Sequence, residues 1–285
     1  MHKNKIFYNK PTIEVKGLII GGADPLVMGI INITPDSFYS GSRKQTVAEI
    51  LEQASRMVSE GADILDLGAY SSRPQAEHIS EEEEWQRLST VLPILRSTFP
   101  EVVLSLDTFR SGIASKAIEA GIDIINDISG GELDAEMFNI IAQNQCTYIM
   151  MHMRGTPQTM QNMNTYDDLV NDVIMHLSSK IKQLNDLNFH NIILDPGFGF
   201  AKNIDQNFEL LARLEELNQL PYPLLVGLSR KSMIYKTLGI TAEESLNGTT
   251  SLHSIALEKG AQLLRVHDVK EAKECIALWK KLNNR

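Results

Sequence analysis

Eight short apolar runs, separated by longer amphipathic stretches, constrain this chain more than any other feature. They are LVMGII (26–31), DILDLG (63–68), VVLSLD (102–107), DIINDI (123–128), TYIMMH (147–152), NIILDPG (191–197), PLLVGLS (223–229) and LLRVH (263–267). Each is too short for a helix and nearly continuous in hydrophobicity, as parallel strands buried on both faces require. The helix candidates between them are TVAEILEQASRMVSEG, EEEEWQRLSTVLPILRS, SGIASKAIEAG, AEMFNIIAQN, a long segment from Tyr166 to Leu187, NFELLARLEELN, LNGTTSLHSIALEKG and KEAKECIALWKKL. Gly61, Gly121 and Gly260 each stand just before a strand, where a helix C-cap takes up a left-handed conformation. Eight such units in 285 residues predict an α/β fold, a (β/α)8 TIM barrel, over an open doubly wound sheet. No Gly-, Ser- or Pro-rich linker divides the chain, so one domain over 1–285 is expected. Residues 1–25, with TIEVKGLIIGG, read as an added strand or hairpin closing one end of the barrel.

Composition narrows the classes of function. Hydrophobic residues make up 43% and charged residues 22%, which suits a globular protein with a sizeable core. A formal charge of −9, from 27 basic and 36 acidic residues, argues against nucleic acid or an anionic membrane as partner. It leaves room for a local cationic pocket. The two cysteines, Cys146 and Cys275, offer neither a disulfide framework nor metal-ligand spacing; a reducing cytoplasm is expected, with Cys146 in the core. The N-terminal MHKNKIFYNKPTIEV lacks the apolar stretch of a signal peptide, and no apolar run approaches the roughly 20 residues of a membrane span.

In a parallel barrel the C-terminal strand ends converge on one face. Here those ends carry Asn32, Ser71-Ser72-Arg73, Asp107, Asn126-Asp127, His152, Asp195, Ser229-Arg230-Lys231 and Arg265-Val266-His267. Buried polar groups need partners, because each one left unpaired costs about 1–3 kcal/mol. Blander readings exist for several of them. Asp107 could cap the helix begun by SGIASKA, Asn126 and Asp127 could form a turn, and Asp195 could start one at Pro196. Of that set Asp127 is the more structural member, and His152 reads as a packed barrel residue. Lys231 could be a solvated surface lysine, but directly after LLVGL it falls in the mouth. The two-histidine spacings of a zinc hydrolase are absent.

The remaining groups sort into two sets. Asp107 and Asp195 accept, Asn126 does both, and Lys231 donates; this suits a neutral, flat heterocycle with N–H groups and a carbonyl at its rim. Arg73, Arg265 and His267, with the amide of Asn32, suit a phosphate or diphosphate. A heterocyclic head with a diphosphate tail would use both.

The motifs MGIINITPDSF, DLGAYSSRP, LSLDTFR, INDISGG, MMHMRGTPQTMQ, ILDPGFGF, LVGLSRKSMI and LLRVHD occur in the order and spacing of a known family. Over nearly its whole length the chain resembles bacterial dihydropteroate synthase. The resemblance implies condensation of p-aminobenzoate with 6-hydroxymethyl-7,8-dihydropterin diphosphate, giving 7,8-dihydropteroate and pyrophosphate in the sulfonamide-sensitive step of folate synthesis. By motif, Asp107, Asn126, Asp195 and Lys231 would hold the pterin, with Phe200 lining its pocket. Asn32 would reach Mg2+, while Ser72, Arg73, Arg265 and His267 would hold the diphosphate. Phe38, Ser72, Arg73, Pro74 and Lys231 would shape the aminobenzoate site, with Ser229 near the carboxylate.

The resemblance also implies that the bond to diphosphate breaks first, leaving a cationic methylene on the dihydropterin. Arg73, Arg265, His267 and Mg2+ would then stabilise the departing anion. A magnesium ion keeps several waters and binds phosphate oxygens, so a single protein ligand suffices. An uncharged aniline needs no strong protein base. The loops TPDSFYSGSRKQ and SSRPQAEH resemble the two loops that cover the site, with Asp36 assigned to the cation or to ordering its loop.

The chain departs from the family at SSRPQA, where STRPGA is common. Gln75 is bulkier and more restricted than Gly, and it is expected to alter sulfonamide access more than p-aminobenzoate use. The competing readings are a pterin-binding methyltransferase domain serving a corrinoid protein and a catalytically silent pterin-binding relative. A homodimer through helices late in the barrel is expected from the resemblance.

Overall fold

The computed structural model describes residues 12–33, 43–70 and 79–283. The hairpin β1 (Ile13–Val15) and β2 (Leu18–Ile20) comes first, followed by β3 (Leu26–Asn32), α1 (Arg43–Ser59), β4 (Ile64–Gly68), α2 (Glu81–Thr98), β5 (Val103–Asp107) and α3 (Ser111–Glu119). Next come β6 (Ile124–Asp127), α4 (Met137–Asn144), β7 (Thr147–Met151), α5 (Leu169–Asp186), β8 (Ile192–Asp195) and α6 (Ile204–Ala212). The chain ends with β9 (Leu225–Val226), α7 (Ser232–Leu238), α8 (Leu246–Glu258), β10 (Leu263–Val266) and α9 (Val269–Leu282).

Strands β3 to β10 form one sheet of eight, every ladder parallel, in the order β8-β7-β6-β5-β4-β3-β10-β9. A parallel bridge from Leu194 to Leu224 joins the two ends, closing the sheet into a (β/α)8 barrel. The expected strands are all present, shorter by a residue or more at several ends. Among the helices, α7 is absent from the sequence reading: its seven residues are too few to show a helical period. It stops at Gly239, whose φ is +68°.

Side-chain alternation along the strands builds two cores. Val27, Ile31, Leu65, Leu67, Leu104, Leu106, Ile125, Tyr148, Ile192, Leu194, Val226 and Leu264 face outward and pack under the helices. Met28, Ile64, Val103, Ile124, Ile149, Ile193, Leu225 and Leu263, one from each barrel strand, pack against one another. Residues drawn from all eight strands meet only in the barrel interior, and most of these stand at strand beginnings. Ile13, Val15 and Ile20 of the hairpin join the same cluster, so the hairpin plugs the N-terminal end as the sequence suggests. Fully burying such a side chain contributes about 1.5–3 kcal/mol.

Local signals set the helices. Ser80 caps α2 by accepting from the Glu83 amide, and four glutamates fill its first turn. Asn203 and Gln206 form a capping box at α6. Gly61, Gly121 and Gly260 take φ of +98°, +95° and +99°, as a left-handed stop requires. Among the described residues no helix is long and apolar enough to cross a membrane.

Candidate active site

Two residues above the apolar plug, five of the eight inward positions turn polar. Stepping by two from Ile64, Val103, Ile124, Ile193 and Leu263 gives Asp66, Ser105, Asn126, Asp195 and Arg265. The next step reaches Asn32, Gly68, Asp107, Ser229 and His267 at the C-terminal mouth. A polar bowl therefore sits on an apolar floor.

The bowl is tied together by charge. Arg265 Nη2 donates to Asp107 Oδ2 at 2.9 Å, and Arg265 Nε donates to Asp66 Oδ2 at 2.7 Å. Asn126 Nδ2 also donates to Asp66 Oδ2, at 3.1 Å, and Ser105 Oγ donates to its Oδ1 at 2.6 Å. Burial pushes the Asp107 carboxyl up to about 7, against the pull of Arg265, with the charges of Asp66, Glu84 and Asp127 adding to the rise. The two sets inferred from the sequence are thus not separate, since Arg265 of the cationic set is paired with Asp107 of the heterocycle set.

Asp195 ends β8 and accepts from the Gly197 amide at 2.7 Å, so it forms the turn at Pro196 as well as facing the bowl. Burial raises its carboxyl above the usual range, opposed by the charge of Lys231. Lys231 donates to the carbonyl of Phe198, and its Nζ lies 5.0 Å from the centre of the Phe200 ring. Burial pulls the Lys231 ammonium down to about 8, with Asp195 opposing. Phe200 thus stands beside Lys231.

On the far rim Ser229 Oγ accepts the His267 backbone N–H at 3.1 Å and lies 3.0 Å from His267 Nδ1. Ser229 is buried while His267 is exposed. Between them Arg230, at φ +54°, turns outward and pairs with both carboxylate oxygens of Asp268 at 2.8 Å. That turn puts Ser229 and Lys231 on the mouth and makes Arg230 a strut. Asn32 closes β3 with its side chain exposed in the mouth.

The family model for pterin-binding enzymes matches residues 28–267, all eight barrel strands but for the first two residues of β3. A dihydropteroate synthase from Synechocystis sp. is 42% identical, the match covering 96% of this chain and 97% of that protein. The chain belongs to the dihydropteroate synthase family of pterin-binding enzymes. The synthase of Escherichia coli is 39% identical over 92% of this chain and 93% of its own. Among solved structures, the Yersinia pestis dihydropteroate synthase in a sulfonamide drug complex superposes with a TM-score of 0.89 at 36% identity, covering 96% of this chain and 100% of that one. The Xanthomonas albilineans enzyme with 4-aminobenzoic acid gives 0.87 at 34% identity, covering 97% and 99%.

Of the residues singled out from sequence, the fold brings together Asp107, Asn126, Asp195, Lys231, Phe200, Arg265, Ser229, His267 and Asn32 at one mouth. Asp36, Phe38, Ser72, Arg73, Pro74 and Gln75 lie outside the described residues. Asp107 does not cap α3, whose first amide, that of Ser111, is taken instead by Asp134 Oδ2 at 2.7 Å. Asp127 is structural as expected: it accepts from the Ser129 amide and hydroxyl, the Gly131 amide and the Tyr148 hydroxyl. His152 is fully buried and meets Lys202 Nζ at 3.0 Å.

Two buried charged positions of the site, Asp66 and Lys202, escaped the sequence reading. Asp66 lies within an apolar run whose inward and outward faces cannot be told apart until the barrel closes. Lys202 was not singled out from the sequence, yet it is buried, donating to the carbonyls of Gly197 and Phe200 at 3.0 and 3.1 Å. Burial pulls its ammonium down to about 7, with Asp195 opposing. It braces the 195–200 turn from behind.

Proposed function

We propose that this chain joins p-aminobenzoate to 6-hydroxymethyl-7,8-dihydropterin diphosphate, releasing pyrophosphate and forming 7,8-dihydropteroate. The observation that carries this reading is the bowl of Asp107, Asn126, Asp195, Lys231 and Arg265 on the C-terminal face of a pterin-binding barrel. Carboxylates at Asp107 and Asp195 would accept the ring N–H groups, and Lys231 would donate to the ring carbonyl. Stacked beside Lys231, Phe200 offers an apolar wall to the ring.

In the reaction the C–O bond between the exocyclic methylene and the diphosphate breaks, and a C–N bond to the aniline forms. The amine then loses a proton. Arg265 and His267, and by the family's motif Ser72 and Arg73, would hold the diphosphate as its charge develops. Phe38, Pro74 and Ser229 would bound the aminobenzoate, and Asp36 would act near the cationic methylene.

A magnesium ion fits the donor set. Asn32 offers an exposed amide oxygen at the mouth, a hard donor of the kind magnesium takes beside phosphate oxygens and water. Bound there with diphosphate, it would neutralise charge on the leaving group.

The same reading makes sulfonamides competitors of p-aminobenzoate, supported by the sulfonamide complex of the Yersinia pestis relative. It carries a homodimer, supported by exposed Leu238, Ile255 and Leu278 on α7, α8 and α9. A reducing cytoplasm fits two buried cysteines that form no disulfide. The deciding experiment incubates the protein with both substrates, with and without Mg2+ and with a sulfonamide, and follows dihydropteroate by mass spectrometry. Metal-dependent product that the sulfonamide suppresses is expected. Absence of product under all conditions would refute the assignment.

A further inference from the structure

Asp66 has no exposed surface even with the mouth empty, yet three other strands send side chains to it. Ser105 of β5, Asn126 of β6 and Arg265 of β10 all donate to its carboxylate, at 2.6, 3.1 and 2.7 Å. A group so covered cannot touch a ligand resting on the bowl. Two of its three partners, however, are residues that the proposed reaction assigns to the substrate.

An asparagine amide is nearly symmetric in shape and can flip its N and O unless a partner decides between them. An ionised carboxylate accepts only. Facing Asp66, Asn126 must present Nδ2, and its Oδ1 is thereby turned to the other side. Arg265 has a long, flexible side chain. With Nε on Asp66 and Nη2 on Asp107, its guanidinium plane is set before any ligand arrives.

We propose that Asp66 is a positioning residue for the dihydropterin substrate, fixing the amide orientation of Asn126 and the guanidinium plane of Arg265 from beneath the site. This rests on the reading above, in which those two residues meet the substrate. Both donors reach the same oxygen, Oδ2, so an asparagine at this position can keep both constraints. Its carbonyl would take the place of Oδ2 and its NH2 would face Ser105, whose hydroxyl can turn to accept. A leucine of similar size keeps neither.

The test compares steady-state kinetics of the wild type, Asp66→Asn and Asp66→Leu with 6-hydroxymethyl-7,8-dihydropterin diphosphate and p-aminobenzoate. In Asp66→Leu the KM for the dihydropterin substrate is expected to rise at least about tenfold, while that for p-aminobenzoate stays within about threefold. Asp66→Asn should bring the dihydropterin KM back to within about fivefold of wild type. It should also move the acid limb of kcat/KM to lower pH. Arg265, which favours ionised Asp107, would remain, as would Lys231 nearby and the opposing Glu84 and Asp127, while the charge at position 66 would be gone.

A residue needed only for folding would not split the two KM values, nor would Asp66→Asn restore one of them selectively. Should Asp66→Leu fail to fold, Asp66→Ala, which also keeps neither constraint, makes the same comparison. Equal rises in both KM values, or a dihydropterin KM that Asp66→Asn fails to restore, would overturn the assignment while leaving the reaction intact. A wild type that forms no product would instead overturn the reaction on which it rests.

Discussion

At the scale of single residues, the bowl holds charges that burial disfavours. Asp107 is pushed up to about 7 and Lys231 is pulled down to about 8. An ionised carboxylate accepts ring N–H groups more strongly than a protonated one, so binding is expected to weaken as pH falls through about 7 and Asp107 takes its proton. Lys231 must be protonated to hold its charge, so binding weakens again as pH rises through about 8. The free-enzyme profile of kcat/KM for the dihydropterin substrate is therefore expected to be a narrow bell between these values. Lys231→Arg removes the alkaline limb, since guanidinium stays charged, and leaves the acid limb in place. A persistent alkaline limb in that variant would assign it to another group. The same burial bears on stability. The native state holds the Asp107 proton up to about 7 and the unfolded chain only to its ordinary value near 3.8, so this group's contribution to stability falls as pH rises between them.

At the scale of elements, the strands and their polar ends were legible because parallel strands covered on both faces leave little choice of sequence. The same property hid Asp66. A strand apolar on both sides shows no alternation, so DILDLG does not say which side faces the barrel interior until Ile64 is seen in the plug. Lys202 was hidden for a different reason, because its partners are two backbone carbonyls and the ring of His152, fifty residues away, which sequence does not advertise. Its turn is also where the backbone is least forgiving. Gly197 has φ +73°, and an added Cβ would lie 2.0 Å from the carbonyl oxygen of His152. In Gly197→Ala that clash adds to a left-handed conformation costing about 1–2 kcal/mol, and overpacking costs about 1–3 kcal/mol more. Thermal melts should show a destabilisation of about 3 kcal/mol, and dihydropterin binding should be lost with it, because Asp195 and the Lys202 brace share the turn. Unchanged stability and affinity would mean that the loop relaxes independently of the barrel.

For the whole molecule, an apolar plug and hairpin close one end while polar chemistry gathers at the other, so stability and reactivity occupy different layers. In the proposed homodimer the helices outside would carry a third task. Leu278 on α9 is 70% exposed and Ile255 on α8 is 41% exposed. Those two helices pack on each other, and exposed apolar side chains on both suit the proposed isologous contact with a second copy. Both side chains lie on helices rather than on the strand ends that build the bowl, so breaking the contact should leave the chemistry standing. The double variant Ile255→Glu, Leu278→Glu would place four like charges across the proposed two-fold interface, and sedimentation velocity should then show a monomer for the variant and a dimer for the wild type. The dihydropterin KM of that monomer should remain within about threefold of wild type, because each bowl is assembled within one chain. A variant that stays dimeric would move the interface to another face, and a monomeric wild type would remove the dimer from the reading altogether.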